Sequence, residues 1–429
     1  MEPQAFEIER HRVGVQKIGE RSWKETKKMW EIAAPAILTA VAQFSIGFVT
    51  VAFVGHLGEV ELAAVSVVQN VIEGFVYGLM LGMGSALETL CGQAVGAGQI
   101  NRLGIYMQRS FIITITTAVF LTPIYIYASS ILKSPSSKYK DFRACWNIRN
   151  TMVLAFHVLL NWVLVTKFRH GLLGAAMAGN ISWWPVVSGQ IIYVVSGYFP
   201  EAWTGFSLSA FKSLASFVKL SLASAVMLCL ELWYYTVIIL MVGWLKNPEI
   251  AVDAISICMN LQLWTLMITL GFNAAISVRV SNELGAGRPK AAKFSVVVVV
   301  VISILFGIMF TAGVVAAKGY FPKLFSGKPE VIRETSKLGY FLAATILLNS
   351  IQPVLHGVAV GAGWQYSVAL INVGCYYAFG LPFGALLGYQ FELGVRGIWS
   401  GMLAGSLLQT LILMLNVFRA NWHAEVSIS

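Results

Sequence analysis

The sequence predicts an all-α polytopic membrane protein built as two tandem helix-bundle lobes, and three observations predict it. The 429 residues are 57% hydrophobic and 12% charged, against about 25% charged in a typical soluble domain; the mean hydropathy is +0.72. Apolar stretches long enough to cross a bilayer core of about 30 Å as helices recur along the whole chain. A loop containing Gly-Ala-Gly occurs twice, at 96–98 and at 285–287, an offset of 189 residues. Shifting the first apolar span by that offset lands it on a later span, so the chain reads as two related halves.

Taken in order, residues 1–28 are polar and charged. They lack the apolar core and small-residue cleavage site of a signal peptide and read as a cytoplasmic N-terminal tail. Eleven spans follow, at 30–55, 61–90, 106–132, 148–167, 171–197, 214–243, 250–276, 294–318, 338–361, 367–391 and 395–418. The weakest is 148–167, which carries His157 and Asn161. Residues 29–200 form the expected N-terminal lobe and 201–418 the C-terminal lobe, with a cytoplasmic tail at 419–429. Pro35, Pro123, Pro185, Pro353 and Pro382 fall inside spans; each removes an amide donor and tends to kink its helix.

The halves differ in length after the shared loop. Gly98 to Pro200 covers 102 residues and Gly287 to Phe418 covers 131, so the first half is about 29 short. The shortfall falls around KSPSSKYKDFRACWNIRN, residues 133–150. Charge gives the same answer. The basic N-terminus, Arg102 and Arg109 place the first Gly-Ala-Gly loop in the cytoplasm. Arg279, Arg288, Lys290 and Lys293 ask for that side at the second, because positive loops stay inside. Eleven spans put the two loops on opposite faces and twelve put them together. Either a crossing is missing, the preferred reading, or one segment does not simply span.

The formal net charge is +10. The basic residues sit between apolar runs, where they set topology and meet anionic headgroups; no nucleic-acid partner is implied. The five cysteines are scattered; nothing in their spacing suggests a disulfide framework, and no zinc-type cluster is visible. There is no GxxxxGK[ST] and no HExxH. The run GMGSALE at 82–88 lies inside an apolar span, where a nucleophile elbow, which needs a preceding strand, cannot form. No enzyme, cofactor or metal site is expected.

Ion and solute handling remain. Leu220 to Gly243 is a 24-residue apolar run with one acid, Glu231, near its middle. A carboxylate at that depth is expensive unless protonated, paired or facing a wet cavity. Glu231 is therefore the candidate proton-coupling residue; the competing reading is a buried acid fixed by a neighbour. On the second span Gln69, Asn70 and Glu73 share one face, either lining a cavity or knitting helices together. Glu88, beside the first Gly-Ala-Gly loop, reads as a structural acid. Tyr235 shares the Glu231 face, Asn260 adds polarity to the next span, and Asn349, Gln352 and His356 fall at i, i+3 and i+7. Asn372, Tyr376 and Tyr377 follow on the tenth span. A cavity lined by these groups suits a planar organic molecule with polar edges, or a cation held against aromatic faces.

The stretches VGHLGEVELAAVS (Val54–Ser66), NVIEGFVYGLMLGMGSALETLCGQAVGAG (Asn70–Gly98), YMQRS (Tyr106–Ser110), AVMLCLELWYY (Ala225–Tyr235), NAAISVRVSNELGAGRP (Asn273–Pro289) and GVAVGAGWQ (Gly357–Gln365) carry a resemblance over nearly the whole chain. It resembles the plant multidrug and toxic compound extrusion (MATE) family, DETOXIFICATION type. The resemblance implies twelve helices in two lobes around a central cleft, and cation-coupled antiport. For plant members it implies protons as the coupling ion, flavonoids or xenobiotics as solutes, and a vacuolar or plasma membrane. It implies a monomer whose partners are protons, small organic solutes and membrane lipid. The family's acid on the first helix of the C-terminal lobe falls on Glu231. A second acid of many plant relatives falls on Asn349, which cannot carry a proton, and a further acidic position falls on Thr236. The family's fourth helix is absent between about Lys133 and Thr151. Two alternatives stay open: a truncated isoform that does not transport, and a sodium-coupled carrier.

Overall fold

A computed structural model of the chain describes residues 2–55, 74–132, 156–168, 170–196, 200–203, 205–212, 214–245 and 248–428. Among the described residues the regular structure is entirely helical. The helices are α1 (Glu2–Gly55), α2 (Gly74–Gly96), α3 (Leu103–Leu132), α4 (Phe156–Lys167), α5 (Gly171–Val195), α6 (Leu214–Gly243), α7 (Pro248–Gly285), α8 (Pro289–Ala317), α9 (Pro329–Ala362), α10 (Gln365–Gln390), α11 (Gly394–Arg419) and α12 (Trp422–Ile428). Among the described residues, eight segments are long and apolar enough to cross a membrane by length and composition. The expected spans 61–90 and 148–167 run partly outside the described residues, and so do Gln69, Asn70 and Glu73.

The charged N-terminus is helical and continuous with the first span, through Pro35, as one 54-residue helix. Charge does not break a helix, and Glu, Lys, Arg and Gln are good helix formers. The lower half of α1 packs into the second half of the chain. Met29 and Ala33 are fully buried in a core shared with Phe272, Ile276, Val354 and Val358. Trp30 meets Phe272 edge-on at 5.6 Å and Phe306 at 5.8 Å. Proline starts α7, α8 and α9, where its missing amide hydrogen would have had no partner anyway.

The two Gly-Ala-Gly turns are built alike. Gly98 and Gly287 have φ of 71° and 70°, the left-handed region that glycine enters without a Cβ penalty. In the first turn Gln99 N–H donates to Ala94 O at 2.8 Å and Gly98 N–H to Val95 O at 3.1 Å. In the second, Arg288 N–H donates to Glu283 O at 2.8 Å and Gly287 N–H to Leu284 O at 2.9 Å. Both are Schellman closures of a helix C-terminus. They also lie side by side: a Cβ added at Gly96 would stand 2.0 Å from Asn282 O, and one at Gly285 would stand 2.1 Å from Gln93 O. The ends of α2 and α7 therefore meet backbone to backbone at one end of the bundle.

That meeting fixes directions. Helix α6 runs antiparallel to α2, with Ala225 against Gly82 and Cys229 against Gly78, so it leaves the Gly-Ala-Gly end. Helix α3 also leaves that end, since Gly104 lies against Ala202 and Gln108 against Gly205, in the loop before α6. Helix α1 leaves it too, from Glu25 bonded to Arg279 on α7. Thr50 of α1 meets His157 of α4, and Val54 meets Val165, so α4 runs parallel to α1. Helices α3 and α4, successive described helices, therefore run in the same direction.

Candidate functional site

Glu231 lies on α6 between two donors from α9. Gln352 Nε2 donates to Glu231 Oε1 at 3.0 Å, and His356 Nδ1 lies 3.2 Å from Glu231 Oε2. The Glu231 side chain keeps 16% of its exposure and His356 keeps 3%. Among the described residues the one basic side chain within 4.0 Å of the Glu231 carboxylate is His356; no lysine or arginine reaches it. A carboxylate in a helix interior with only neutral-capable donors around it can gain and lose a proton without breaking an ion pair to a fixed cation.

Spacing explains how α9 does this. Gln352 and His356 are four residues apart and project from one face. Pro353 lies between them, and Asn273 Nδ2 of α7 donates to the Pro353 carbonyl at 2.6 Å. Gln352 Nε2 also donates to the Tyr376 hydroxyl at 2.6 Å. Tyr376 sits on α10 where that helix widens into π-helical turns over Val373–Gly380, just before Pro382; such turns concentrate at functional sites. The Tyr376 ring stacks on Tyr234 at 4.3 Å and 10°. Tyr377, the next residue, donates to Leu230 O at 2.8 Å.

Asn349 lies one turn before Gln352 on α9. Its Nδ2 lies 3.4 Å from the Tyr235 hydroxyl, and its Oδ1 is buried without a hydrogen-bond partner. It lines a small cavity between α7, α8 and α9 together with Thr265, Thr269, Phe306 and Phe310. Of the candidate residues, then, Glu231, Gln352, His356 and Tyr376 are brought into one hydrogen-bonded group, with Asn349 and Tyr235 beside it. Asn260 is not: it is exposed, and its amide bonds Ser256 O of its own helix at 3.0 Å.

One member of the group was not singled out by sequence reasoning. Gln409 of α11 is fully buried; its Nε2 lies 2.7 Å from His356 Nε2 and donates to Asn372 Oδ1 at 2.9 Å. Asn372 Nδ2 in turn donates to Met227 O at 3.2 Å. The available signal was an amide alone in the apolar run GSLLQTLILML, which is costly in a membrane helix unless bonded.

Two other polar clusters lie apart from this group. Near the Gly-Ala-Gly end, Arg279 joins Glu25 and Glu283, and Ser295 donates to Glu25 at 2.6 Å. In the first half, His157 bonds Thr50, Asn161 and Ser182 at 3.0, 2.9 and 2.9 Å, respectively.

The comparisons with known proteins agree with this architecture. The sequence profile of the MatE family matches residues 35–140 and 223–386. The chain is 52% identical to Protein DETOXIFICATION 33 of Arabidopsis thaliana over 434 aligned residues, covering 94% of this chain and 90% of that protein. It is 47% identical to Protein DETOXIFICATION 30 of Arabidopsis thaliana, covering 94% and 88%. The fold superposes on the crystal structure of the eukaryotic MATE transporter AtDTX14 with a TM-score of 0.88 and 30% identity, covering 95% of this chain and 98% of that one. A multidrug resistance MATE family transporter in an outward-facing conformation matches with a TM-score of 0.82 at 14% identity, covering 94% and 97%; that likeness concerns the fold alone.

Proposed function

The chain belongs to the MatE family of multidrug and toxic compound extrusion transporters, and on that footing we propose that it exchanges protons for planar organic solutes, with Glu231 as the coupling group. As a member it is a multi-pass membrane transporter of small organic substrates. The observation that carries the proposal is the Glu231 carboxylate itself, held by Gln352 and His356 in a helix interior with no lysine or arginine beside it among the described residues.

The cycle follows from electrostatics. Ionised, Glu231 needs its donors or a hydrated, solute-filled cavity. Protonated, it is neutral and tolerates a dry, closed site. A solute that binds the ionised state better than the protonated one is released when a proton arrives, and the two ligands alternate. Flavonoids and aromatic xenobiotics would meet the half-buried rings of Tyr235 and Tyr377 rather than Tyr234 and Tyr376, which are buried and stacked on one another. The domain reading that goes with this is a C-terminal lobe at 201–418 carrying the coupling site and an N-terminal lobe at 29–200, short by about one crossing. The parallel run of α3 and α4 supports that shortfall. The protein acts as a monomer in the vacuolar or plasma membrane, with its N-terminus in the cytoplasm.

The test is uptake into proteoliposomes of a panel of flavonoid glycosides and aromatic cations under an imposed pH gradient, then under a sodium gradient. Accumulation driven by pH alone supports the reading. Accumulation driven only by sodium replaces proton with sodium coupling, and absence of any transport by this chain beside an active full-length relative identifies a non-transporting form.

A further inference from the structure

Protonation of Glu231 is only half of the chemistry at this site; the other half is which nitrogen of His356 carries its proton. A backbone carbonyl can only accept a hydrogen bond. Met227 O accepts from Asn372 Nδ2 at 3.2 Å, so Asn372 turns its Oδ1 the other way. That oxygen accepts from Gln409 Nε2 at 2.9 Å, so Gln409 presents its nitrogen rather than its oxygen. The second N–H of the same nitrogen faces His356 Nε2 at 2.7 Å. A ring nitrogen met by a donor is the acceptor, so the ring proton sits on Nδ1, 3.2 Å from Glu231 Oε2.

We propose that Met227, Asn372 and Gln409 lock His356 as its neutral Nδ1–H tautomer, and that His356 is thereby the positioning residue that holds the ionised form of Glu231. This rests on the reading of Glu231 as the proton-coupling group. The bonds form a closed circuit that leaves α6 at Met227 and returns to α6 at Glu231, one helical turn later. Asn372 and Gln409 are fully buried and His356 is 3% exposed. Gln409 Oε1 is buried without a hydrogen-bond partner: the amide faces the ring with its nitrogen at the expense of its own oxygen.

Every reversal meets an obstacle. A proton on His356 Nε2 would point at an N–H of Gln409. Turning Gln409 would set its oxygen against Asn372 Oδ1, and turning Asn372 would set that oxygen against Met227 O. The circuit thus works in one polarity, and that polarity ends in a donor aimed at Glu231. Among the described residues the titratable groups around the pair are Cys229, Tyr234 and Tyr235 on α6 and Cys375, Tyr376 and Tyr377 on α10. Helices α2, α7, α8 and α11 present Thr89, Asn273, Ser303 and Gln409 to α9 at this level, none of which titrates near neutrality.

Two substitutions separate the two ends of the ring. In His356→Asn the amide nitrogen takes the place of Nδ1 and can still donate to Glu231, but nothing reaches Gln409. In His356→Gln the longer amide reaches Gln409 but not Glu231. The readout is the pH midpoint of the protonated-carboxyl infrared band, assigned by its loss in Glu231→Gln. The expected result is a midpoint near that of the unaltered protein for His356→Asn and one raised by roughly one pH unit, tenfold in proton concentration, for His356→Gln, the scale of one lost hydrogen bond to a charged group. Equal midpoints for His356→Gln and the unaltered protein, or equal shifts in both variants, overturn the proposal. Nitrogen-15 spectra of the unsubstituted protein give a second reading that needs no folded variant. A protonated Nδ1 with a bare Nε2 at pH 7 is expected; a protonated Nε2 overturns the lock. Failure of the coupling reading is separate: it would show as pH-driven solute uptake that survives Glu231→Gln.

Discussion

Glu25 and Arg279, 254 residues apart in sequence, are joined by two hydrogen bonds, from Arg279 Nε to Glu25 Oε1 at 2.7 Å and from Nη2 to Oε2 at 3.1 Å. The pair ties the middle of α1 to the last turns of α7, beside the two Gly-Ala-Gly turns. Arg279 also holds Glu283 at 2.7 Å, and the three side chains keep only 11%, 11% and 5% of their exposure. Removing the cation leaves buried Glu25 with the Ser295 hydroxyl alone and Glu283 with the exposed Arg288 at 2.9 Å, whereas removing Glu25 leaves Arg279 with Glu283. Arg279→Met is expected to destabilise the protein by about 3–5 kcal/mol and Glu25→Gln by about 1–3 kcal/mol. Thermal unfolding in detergent gives the order; a larger effect of Glu25→Gln would contradict it.

Two glycines of this bundle end in opposite expectations. Alanine at Gly285 places a methyl 2.1 Å from Gln93 O, a backbone atom that cannot step aside, while Gly84 has nothing within 4 Å of its Cβ position. Gly285→Ala should destabilise by about 1–3 kcal/mol through overpacking. Gly84→Ala should be neutral or stabilise by up to about 1 kcal/mol, since alanine loses less freedom in a helix. The same unfolding assay compares them.

Gln352 serves two acceptors with one amide nitrogen, Glu231 Oε1 and the Tyr376 hydroxyl. Gln352→Leu removes both bonds, while Tyr376→Phe removes one acceptor and leaves the bond to Glu231. Because the lost donor stabilised the ionised carboxylate, the account expects Gln352→Leu to raise the pH midpoint of transport by about one unit, the scale of a lost charge-assisted bond, and Tyr376→Phe to leave it within a few tenths. Equal shifts would mean that the amide acts through packing alone.

His157 is a control for His356. It is fully buried among Thr50, Asn161 and Ser182, and no carboxylate is among those bonded partners. His157→Gln is expected to lower stability by about 1–3 kcal/mol and to leave the pH dependence of transport unchanged. A shifted pH profile in that variant would assign the first half a proton of its own.

Much of this was legible in the residues, for reasons that separate what was from what was not. Glu231 stood out because an acid in a 24-residue apolar run has few places to hide. Gln352 and His356 stood out because helical spacing puts them on one face, and the Gly-Ala-Gly repeat announced two turns that share φ and hydrogen-bond pattern. What stayed hidden depends on which face meets which neighbour. Asn260 is as polar as Asn349, yet it turns outward and bonds its own helix. Gln409 shares a helical face with Ser406 and Asn416 of α11, but its partners His356 and Asn372 lie on other helices and only packing reveals them. The charged start of α1 reads as a tail because charge suggests solvent, yet Glu25 finds its partner on α7 only in the folded chain.

The central claim is that one carboxyl group couples a proton to the solute. It is tested most directly by comparing the unaltered protein with Glu231→Gln in liposomes, once under a pH gradient and once in solute-for-solute exchange with no gradient. The account predicts that Glu231→Gln loses accumulation against the pH gradient and still exchanges solute for solute. Undiminished accumulation by Glu231→Gln would contradict it.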